Sequence, residues 1–431
     1  MSRVIKFFTT IRNNWKKSLI GAAALSYGAS YANYTYQTHL LMREYCEQVV
    51  KYGDQILPLS QKPRHITVIL NPVAKKRKAK KLFEKYCEPL LHLAGIAVTI
   101  IQTEQENQAR SLIENLNFHT DAILVAGGDG TLLDVVTGLM RKCNGSIFCA
   151  KQTPVGILPL GEVNRLCDSI FSRQYDSLPH IHEMIDATMA VVHGNTKSVD
   201  IMKIEPIEQN EEDPIKPIYA LGVIQLGAWR DAHSRKEKYW YWGGLRRYVT
   251  YIFNGFKKDV MWNCNATIRY SDPCIGCSKC YQPDKSPAQL DVRWWHVFIP
   301  KKVTYAQSNE IDYSKVKNDN CDTFKETSIT TTELSLTTLN TDKLKPGVPA
   351  VKLQIGPEHI SFFDFVAEGW NRIKGLNNVI QQTLEIKDIE FLPEFTEDSE
   401  KEQYFSIDNE EFELKPMKIS LIPNAVKIFC P

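Results

Sequence analysis

The stretch Asp121-Ala-Ile-Leu-Val-Ala-Gly-Gly-Asp-Gly-Thr-Leu-Leu-Asp134 constrains this chain more than any other. Ile123 to Ala126 form a short apolar run, as a strand buried on both faces does. Gly127, Gly128, Asp129, Gly130 and Thr131 follow at once. Val135, Val136, Leu139 and Met140 then recur at helical spacing. Three glycines without Cβ atoms let the backbone turn sharply and come close to a ligand. The helix start behind them offers N–H groups and the positive end of a dipole. Strand, glycine loop and helix together make a phosphate cradle. Asp129 would be repelled by a phosphate unless it holds Mg²⁺ or takes up a proton, so phosphoryl transfer fits better than simple phosphate binding.

Other nucleotide motifs are missing. The chain has no G-x-x-x-x-G-K-[ST], and Leu133 stands where a dinucleotide G-x-G-x-x-G loop beginning at Gly128 needs its third glycine. The rest of the N-terminal half supports a parallel, helix-covered sheet. His65–Leu70, Ile96–Ile101, Asp121–Ala126 and Val155–Pro159 read as strands. A basic amphipathic helix from Lys75 and a helix over 104–116 lie between them. Ligands bind beyond the carboxyl ends of such strands. Asn71, Gly127 to Thr131 and Pro159 to Asn164 all fall there.

From about Lys197 the pattern becomes β-rich. Val199 to Ile204, Tyr219–Leu226, Ile329–Leu339, Lys352–Ile355 and Leu384–Phe391 each read as a strand. The predicted fold class is therefore α/β: an N-terminal parallel-sheet nucleotide-binding domain followed by a β-sandwich-like second domain. Length suits two domains. The expected division is an N-terminal segment over 1–59, a catalytic domain over 60–195 and a β-rich acceptor domain over 196–431. Gly227 to Ala232 and Lys238 to Arg247 are dense in aromatics and arginines, a mixture suited to a headgroup–acyl boundary. Asp231 in that region is a candidate contact for an acceptor hydroxyl.

The net charge of +2 gives no case for a nucleic-acid partner. The first acidic residue is Glu44, and Arg3, Lys6, Arg12, Lys16 and Lys17 precede it, with Val4, Phe8, Ile11 and Trp15 at helical spacing. This is the pattern of a mitochondrial targeting segment. The apolar run over 19–32 is interrupted by Ser26 and Ser30 and is marginal as a spanning helix, so residues 1–40 are read as import signal plus membrane attachment. Eleven cysteines, mostly scattered, do not form a secreted disulfide framework. Cys274, Cys277 and Cys280 do have metal-ligand spacing, with Cys264 as a potential fourth thiolate. They are a candidate structural Zn²⁺ site, against a disulfide.

Gly-Gly-Asp-Gly-Thr after a buried strand resembles the diacylglycerol kinase catalytic family, which includes sphingosine and ceramide kinases. Ile157–Glu162, Arg230-Asp231, Lys238–Tyr241 and Phe405–Glu411 resemble the mitochondrial acylglycerol kinase subgroup. The resemblance covers most of the chain from about Gln61. It implies a lipid kinase that uses ATP and Mg²⁺, with mono- or diacylglycerol as acceptor. It implies nucleotide contacts from Asn71, Pro72, Gly127, Gly128, Gly130, Thr131, Gly161 and Asn164, and catalytic carboxylates at Asp129, Asp408 and Glu410. The family's Thr and Asp in the Pro-x-Gly-Thr-x-Asn-Asp loop are replaced by Glu162 and Arg165, and its Asp-Gly-Glu turn carries Asn409 in place of Gly. The subgroup also implies the mitochondrial inner membrane, facing the intermembrane space, and a link to the carrier-import translocase that need not use the active site. NAD kinases share the glycine motif and form the other enzymatic reading.

Overall fold

A computed structural model describes residues 12–431 apart from 57, 59–61, 106, 172–174, 209–214, 257–263, 275–276, 280–315, 319–320, 322, 342–347 and 395–402. It opens with a 39-residue helix, α1 (Trp15–Gly53). The first half of α1 is exposed. From Thr38 onward it packs on the first core through Leu41, Met42, Tyr45, Cys46 and Val49. No described helix is long and apolar enough to cross a membrane.

The N-terminal half is a parallel sheet. Its strands are β1 (His65–Leu70), β2 (Ala97–Gln102), β3 (Ala122–Gly127) and β4 (Val155–Pro159), in the order β2-β1-β3-β4. β3 and β4 are buried along their whole length, as their continuous apolar runs require of strands covered on both faces. Helix α2 (Asp129–Lys142) starts directly after β3 and buries Leu132, Val135, Val136, Leu139 and Met140. Helix α3 (Pro179–His193) packs against β4. Behind α2, left-handed Asn144 and Gly145 turn the chain back, and a disulfide joins Cys143 to Cys149, two of the cysteines that looked scattered in sequence.

The segment after β1 departs from the expected helix. Lys75, Lys76 and Arg77 all have positive φ (50°, 58° and 64°), so the basic run begins as a left-handed turn. Regular helix resumes only at Ala79, and a π-helical turn spans Phe83–Cys87.

The same sheet continues into the C-terminal half. β5 (Thr196–Pro206), β6 (Ile218–Ala220), β8 (Cys264–Ser271), β9 (Phe324–Thr331), β13 (Asp388–Pro393) and β16 (Met417–Phe429) join it. β16 lies parallel to β4 and antiparallel to β5 and β13, with a register shift between Ile422 and Val426. A second, antiparallel sheet has the order β12-β11-β10-β7-β14-β15. Its strands are β7 (Val223–Gly227), β10 (Glu333–Thr338), β11 (Val351–Ile355), β12 (Gln382–Ile386), β14 (Tyr404–Ile407) and β15 (Glu410–Glu413). Met202, Ile204, Ile268, Ile389 and Phe391 of the first sheet meet Ile224, Leu336, Leu353 and Phe405 of the second in one core. The mixed α/β class, with a parallel N-terminal sheet and a second antiparallel sheet, is as the sequence predicts.

Three stretches that read as single strands are each two. Tyr219–Leu226 breaks at Leu221-Gly222, the chain crosses between sheets at Thr332, and it crosses again at Lys387. At sandwich corners of this kind a strand switches sheets through a bend, and at Lys387 the buried positions shift by one residue, from Leu384 and Ile386 to Ile389 and Phe391. The β-rich half also carries more helix than expected. α4 (Ala228–Ser234), a 3-10 segment (Arg235–Leu245), α5 (Arg246–Gly255) and α6 (Phe362–Ile373) enclose a small core of Trp229, Ala232, Tyr251 and Phe365. Arg372 fastens α6 to β10: it pairs with Glu333, reaches Glu368 at 3.1 Å and lies over the Trp229 ring at 4.3 Å.

Candidate active site

Two backbones meet at the carboxyl ends of β3 and β4. Gly128, extended at φ −106° and ψ −169°, caps α2. A Cβ on Gly161 would lie 2.2 Å from the Gly128 Cα, and one on Gly128 would lie 3.0 Å from the Val163 carbonyl oxygen. Only glycine at 161 permits this approach. Cross-links hold it: Leu160 N–H donates to Gly127 O (3.2 Å) and Asp129 N–H to Val163 O (3.1 Å). Asn164 clasps the turn, its Oδ1 accepting from Gly161 N–H (3.1 Å) and its Nδ2 donating to Gly161 O (3.2 Å). From the end of β1, Asn71 Nδ2 donates to Thr131 Oγ1 at 3.3 Å, and Asn71 Oδ1 accepts from Val73 N–H. Residues 71, 127–131 and 161–164 therefore form one connected rim, with Pro72 in the turn leaving β1.

The carboxylates arrive from both ends of the chain. β14 and β15 are joined by the two-residue turn Asp408-Asn409, with φ 44° and 73°. Two consecutive positive φ values are what a type I′ hairpin demands, and Asn is among the residues that tolerate them. This turn drives the Asp408 side chain into the break between β6 and β7. There Oδ1 accepts from Gly222 N–H (3.0 Å) and Val223 N–H (2.7 Å), and Oδ2 from Leu221 N–H (3.0 Å). A Cβ on Gly222 would lie 2.6 Å from Asp408 Oδ1, so this glycine makes room for the carboxylate. Glu410 lies over the first turn of α2, where a Cβ on Gly130 would come within 2.5 Å of its Oε1.

Asp129 shares a small crevice with Asp408, Asn409, Arg165, Leu132 and the 221–223 backbone. Its Oδ2 accepts from Arg165 N–H at 3.1 Å. Burial, with Asp408 as a second negative neighbour, pushes Asp129 up to about 7; hydrogen bonding to Arg165 opposes the rise. Burial also pushes Asp408 up to about 6, against the lowering effect of its three backbone donors. Two raised carboxyls in one crevice call for a proton or a cation. Basic groups flank the second loop. Arg165 bonds Gln225 Oε1 (3.2 Å), and Lys236 pairs with Glu162 at 3.3 Å. Burial and the nearby Lys236 and Arg165 charges lower His233 to about 4, which keeps its imidazole neutral.

The diacylglycerol kinase catalytic domain profile matches residues 65–204, and the acylglycerol kinase C-terminal profile matches residues 221–431. The mitochondrial acylglycerol kinase of Homo sapiens is 33% identical over 429 residues, 98% of this chain and 96% of that one. That of Xenopus laevis is 33% identical over 440 residues, covering 100% and 96%. The chain belongs to the acylglycerol kinase family. A human ceramide kinase is more distant, 26% identical over 58% of this chain and 50% of that one. Among solved structures, a diacylglycerol kinase of Bacillus anthracis has 14% identity and a TM-score of 0.48 over 86% of this chain and 98% of that one.

Seen as an acylglycerol kinase, the chain has its rim, Asp129, Asp408 and Glu410 in one place. Asp231 lies apart from the crevice. It pairs with Arg230 at 2.7 Å, and Arg230 also reaches Glu411 (2.9 Å) and Tyr404 O (3.2 Å), tying α4 to the β14–β15 hairpin. The cysteines regroup. Cys274 and Cys277 come together with Cys321, whereas Cys264 begins β8 and Cys280 lies outside the described residues. Arg165, Lys236 and the 221–223 amides were not candidates from sequence. For Arg165 a signal existed, because a positive residue stands where related lipid kinases carry Asp.

Proposed function

We propose that this acylglycerol kinase transfers the γ-phosphate of ATP to the free hydroxyl of a mono- or diacylglycerol, giving lysophosphatidate or phosphatidate. The observation that carries this reading is the convergence of Asp129, Asp408 and Glu410 on a rim in which Gly128 and Gly161 pack backbone to backbone. The rim residues Asn71, Pro72, Gly127, Gly128, Gly130, Thr131, Gly161 and Asn164 take the nucleotide, with phosphates toward the α2 N-terminus. Arg165 and Lys236 offset phosphate charge.

Asp129 is the general base. A carboxyl near 7 is matched to accept a proton at neutral pH. The acceptor oxygen bonds to the γ-phosphorus as the bond to the β–γ bridging oxygen breaks, and the hydroxyl proton passes to Asp129. Asp408 has both oxygens engaged by backbone N–H groups, so it holds the hairpin and sets the field around Asp129. The acidic, all-oxygen donor set suits a hard divalent cation, and Glu410 would hold Mg²⁺. When bound, that ion neutralises charge on the phosphate oxygens. Positioning and charge neutralisation supply most of the catalysis.

The acceptor approaches from the aromatic surface. Trp240, Tyr241, Trp242, Phe253, Phe256 and Phe363 are exposed there beside Arg247, a composition fitted to a headgroup–acyl boundary. Asp231, on α4 beside this surface, is assigned to the acceptor's glycerol hydroxyls. The names of the relatives and the basic N-terminus support a mitochondrial location, and the exposed first half of α1 supports attachment to a membrane, which we read as the inner membrane facing the intermembrane space. A second role, assembly with the carrier-import translocase, draws support from the exposed Leu25, Tyr27, Tyr31 and Tyr36 of α1.

The test is transfer from labelled ATP to monoacylglycerol, diacylglycerol, sphingosine and NAD side by side, with Asp129→Asn as control. Labelled glycerolipid that disappears in the variant is the expected result. Label on NAD, or full turnover by Asp129→Asn, overturns the proposal.

A further inference from the structure

We propose that Cys274, Cys277 and Cys321 hold a structural zinc ion at the base of the long excursion between β8 and β9. Their sulfur atoms all lie within 4.8 Å of one another; Cys277 and Cys321 are buried and Cys274 is half-buried. A tetrahedral zinc with thiolates at about 2.3 Å sets sulfurs roughly 4 Å apart, within that bound.

The strand register explains the meeting. β8 and β9 are antiparallel, and the last pair of the ladder is Ser271 with Phe324. Cys274 lies three residues beyond Ser271 and Cys321 three residues before Phe324, so continuing the register sets them opposite each other. Asp272 and Lys325 pair at 2.7 Å just inside this point. Cys277 then follows Cys274 at C-x-x-C spacing. The same geometry excludes Cys264, which stands at the other end of β8: seven strand steps separate it from Ser271, about 23 Å.

Hydrogen bonds tie the cluster together. Asn318 Nδ2 donates to Cys274 Sγ at 3.3 Å. Ser278 N–H donates to Val316 O (2.8 Å), Cys321 N–H to Asn318 O (3.3 Å) and Lys279 Nζ to Cys321 O (3.4 Å). The first and last of these pin the two arms of the knuckle to each other and the second closes the turn before Cys321, as supporting contacts around metal ligands do. An all-sulfur set selects zinc over magnesium or calcium. A disulfide would take two sulfurs and leave out the third, whereas zinc uses all three. The ion clips together the ends of a segment of roughly fifty residues, whose closure otherwise costs chain entropy. The proposal is independent of the kinase reading.

The experiment is metal analysis of the full chain, purified in detergent and reductant through metal-free buffer. About one zinc per chain is expected, with sulfur neighbours by X-ray absorption at the zinc edge. Cys321→Ser should fall below about a tenth of that content, Cys321→His should recover it, and Cys264→Ser should keep it. Zinc-free wild-type protein, zinc retained by Cys321→Ser, or a disulfide between any two of the three in the native chain overturns the proposal. Should Cys321→Ser fail to fold, absorption spectra of the wild type decide: fewer than three sulfur neighbours refute the site.

Discussion

Asp129→Asn should separate stability from catalysis. Asp129 is buried, and its carboxyl is raised from 3.8 to about 7. A raised folded-state value means that the folded chain binds the proton more tightly than the unfolded chain. The group therefore imposes no penalty below about pH 4, an increasing one between 4 and 7, and a constant one above. Three units correspond to about 4 kcal/mol at the upper end. Asn cannot ionise, and its side-chain oxygen can still accept the Arg165 N–H. Part of the relief is lost to the poorer acceptor, so a gain of about 1–3 kcal/mol at pH 8 is expected, shrinking towards pH 4. Urea and thermal unfolding of both proteins in chelator, from pH 4.5 to pH 8, measure this. The kinase rate should fall by about 10²–10⁴. A stability difference that does not change with pH, or a variant less stable than wild type at pH 8, would refute the assignment of a strained, buried carboxylate.

Other substitutions test other joints. Gly161→Ala forces a Cβ to within 2.2 Å of the Gly128 Cα; it should cost about 1–3 kcal/mol and weaken ATP binding more than acceptor binding, read by calorimetry. Arg372→Ala leaves Glu333 and Glu368 buried without their cation and should cost about 3–5 kcal/mol in urea unfolding. Lys76→Gly removes a left-handed Cβ at φ 58° and should raise stability by about 1 kcal/mol. Asn409→Val, at φ 73°, should lower it by about 1–3 kcal/mol and reduce turnover by displacing Asp408 and Glu410.

Much of the N-terminal sheet was legible because its cause is local. β1 to β4 are short apolar runs that have to be covered on both faces, and the glycine order after β3 admits few backbone paths. The Asp408-Asn409 turn was legible for the same reason, once resemblance drew attention to it. Elsewhere local pattern misled. The apolar phase slips by one residue at Thr332 and at Lys387, from Leu384 and Ile386 to Ile389 and Phe391 at the latter, which in sequence reads as a bulge within one strand, yet the chain changes sheet there and at Leu221-Gly222. Period two reports which face is buried and says nothing about which sheet does the burying. The left-handed turn at Lys75–Arg77 was hidden because three residues of that kind ordinarily favour helix.

By itself the sequence determined the glycine turn behind β3, the class of fold and the acids available to it, since glycine spacing and apolar periodicity act over a few residues. Only the tertiary structure decided which acids work together. Asp129 and Asp408 are neighbours because the β14–β15 hairpin pairs with β7 and lowers Asp408 into the strand break beside the crevice. The raised carboxyl of Asp129 likewise comes from burial and that neighbour, not from its own loop. Cys321 replaces Cys264 beside Cys274 because an antiparallel ladder fixes opposing positions across a long excursion. Register and burial are properties of the assembled sheets, and no window of the chain contains them.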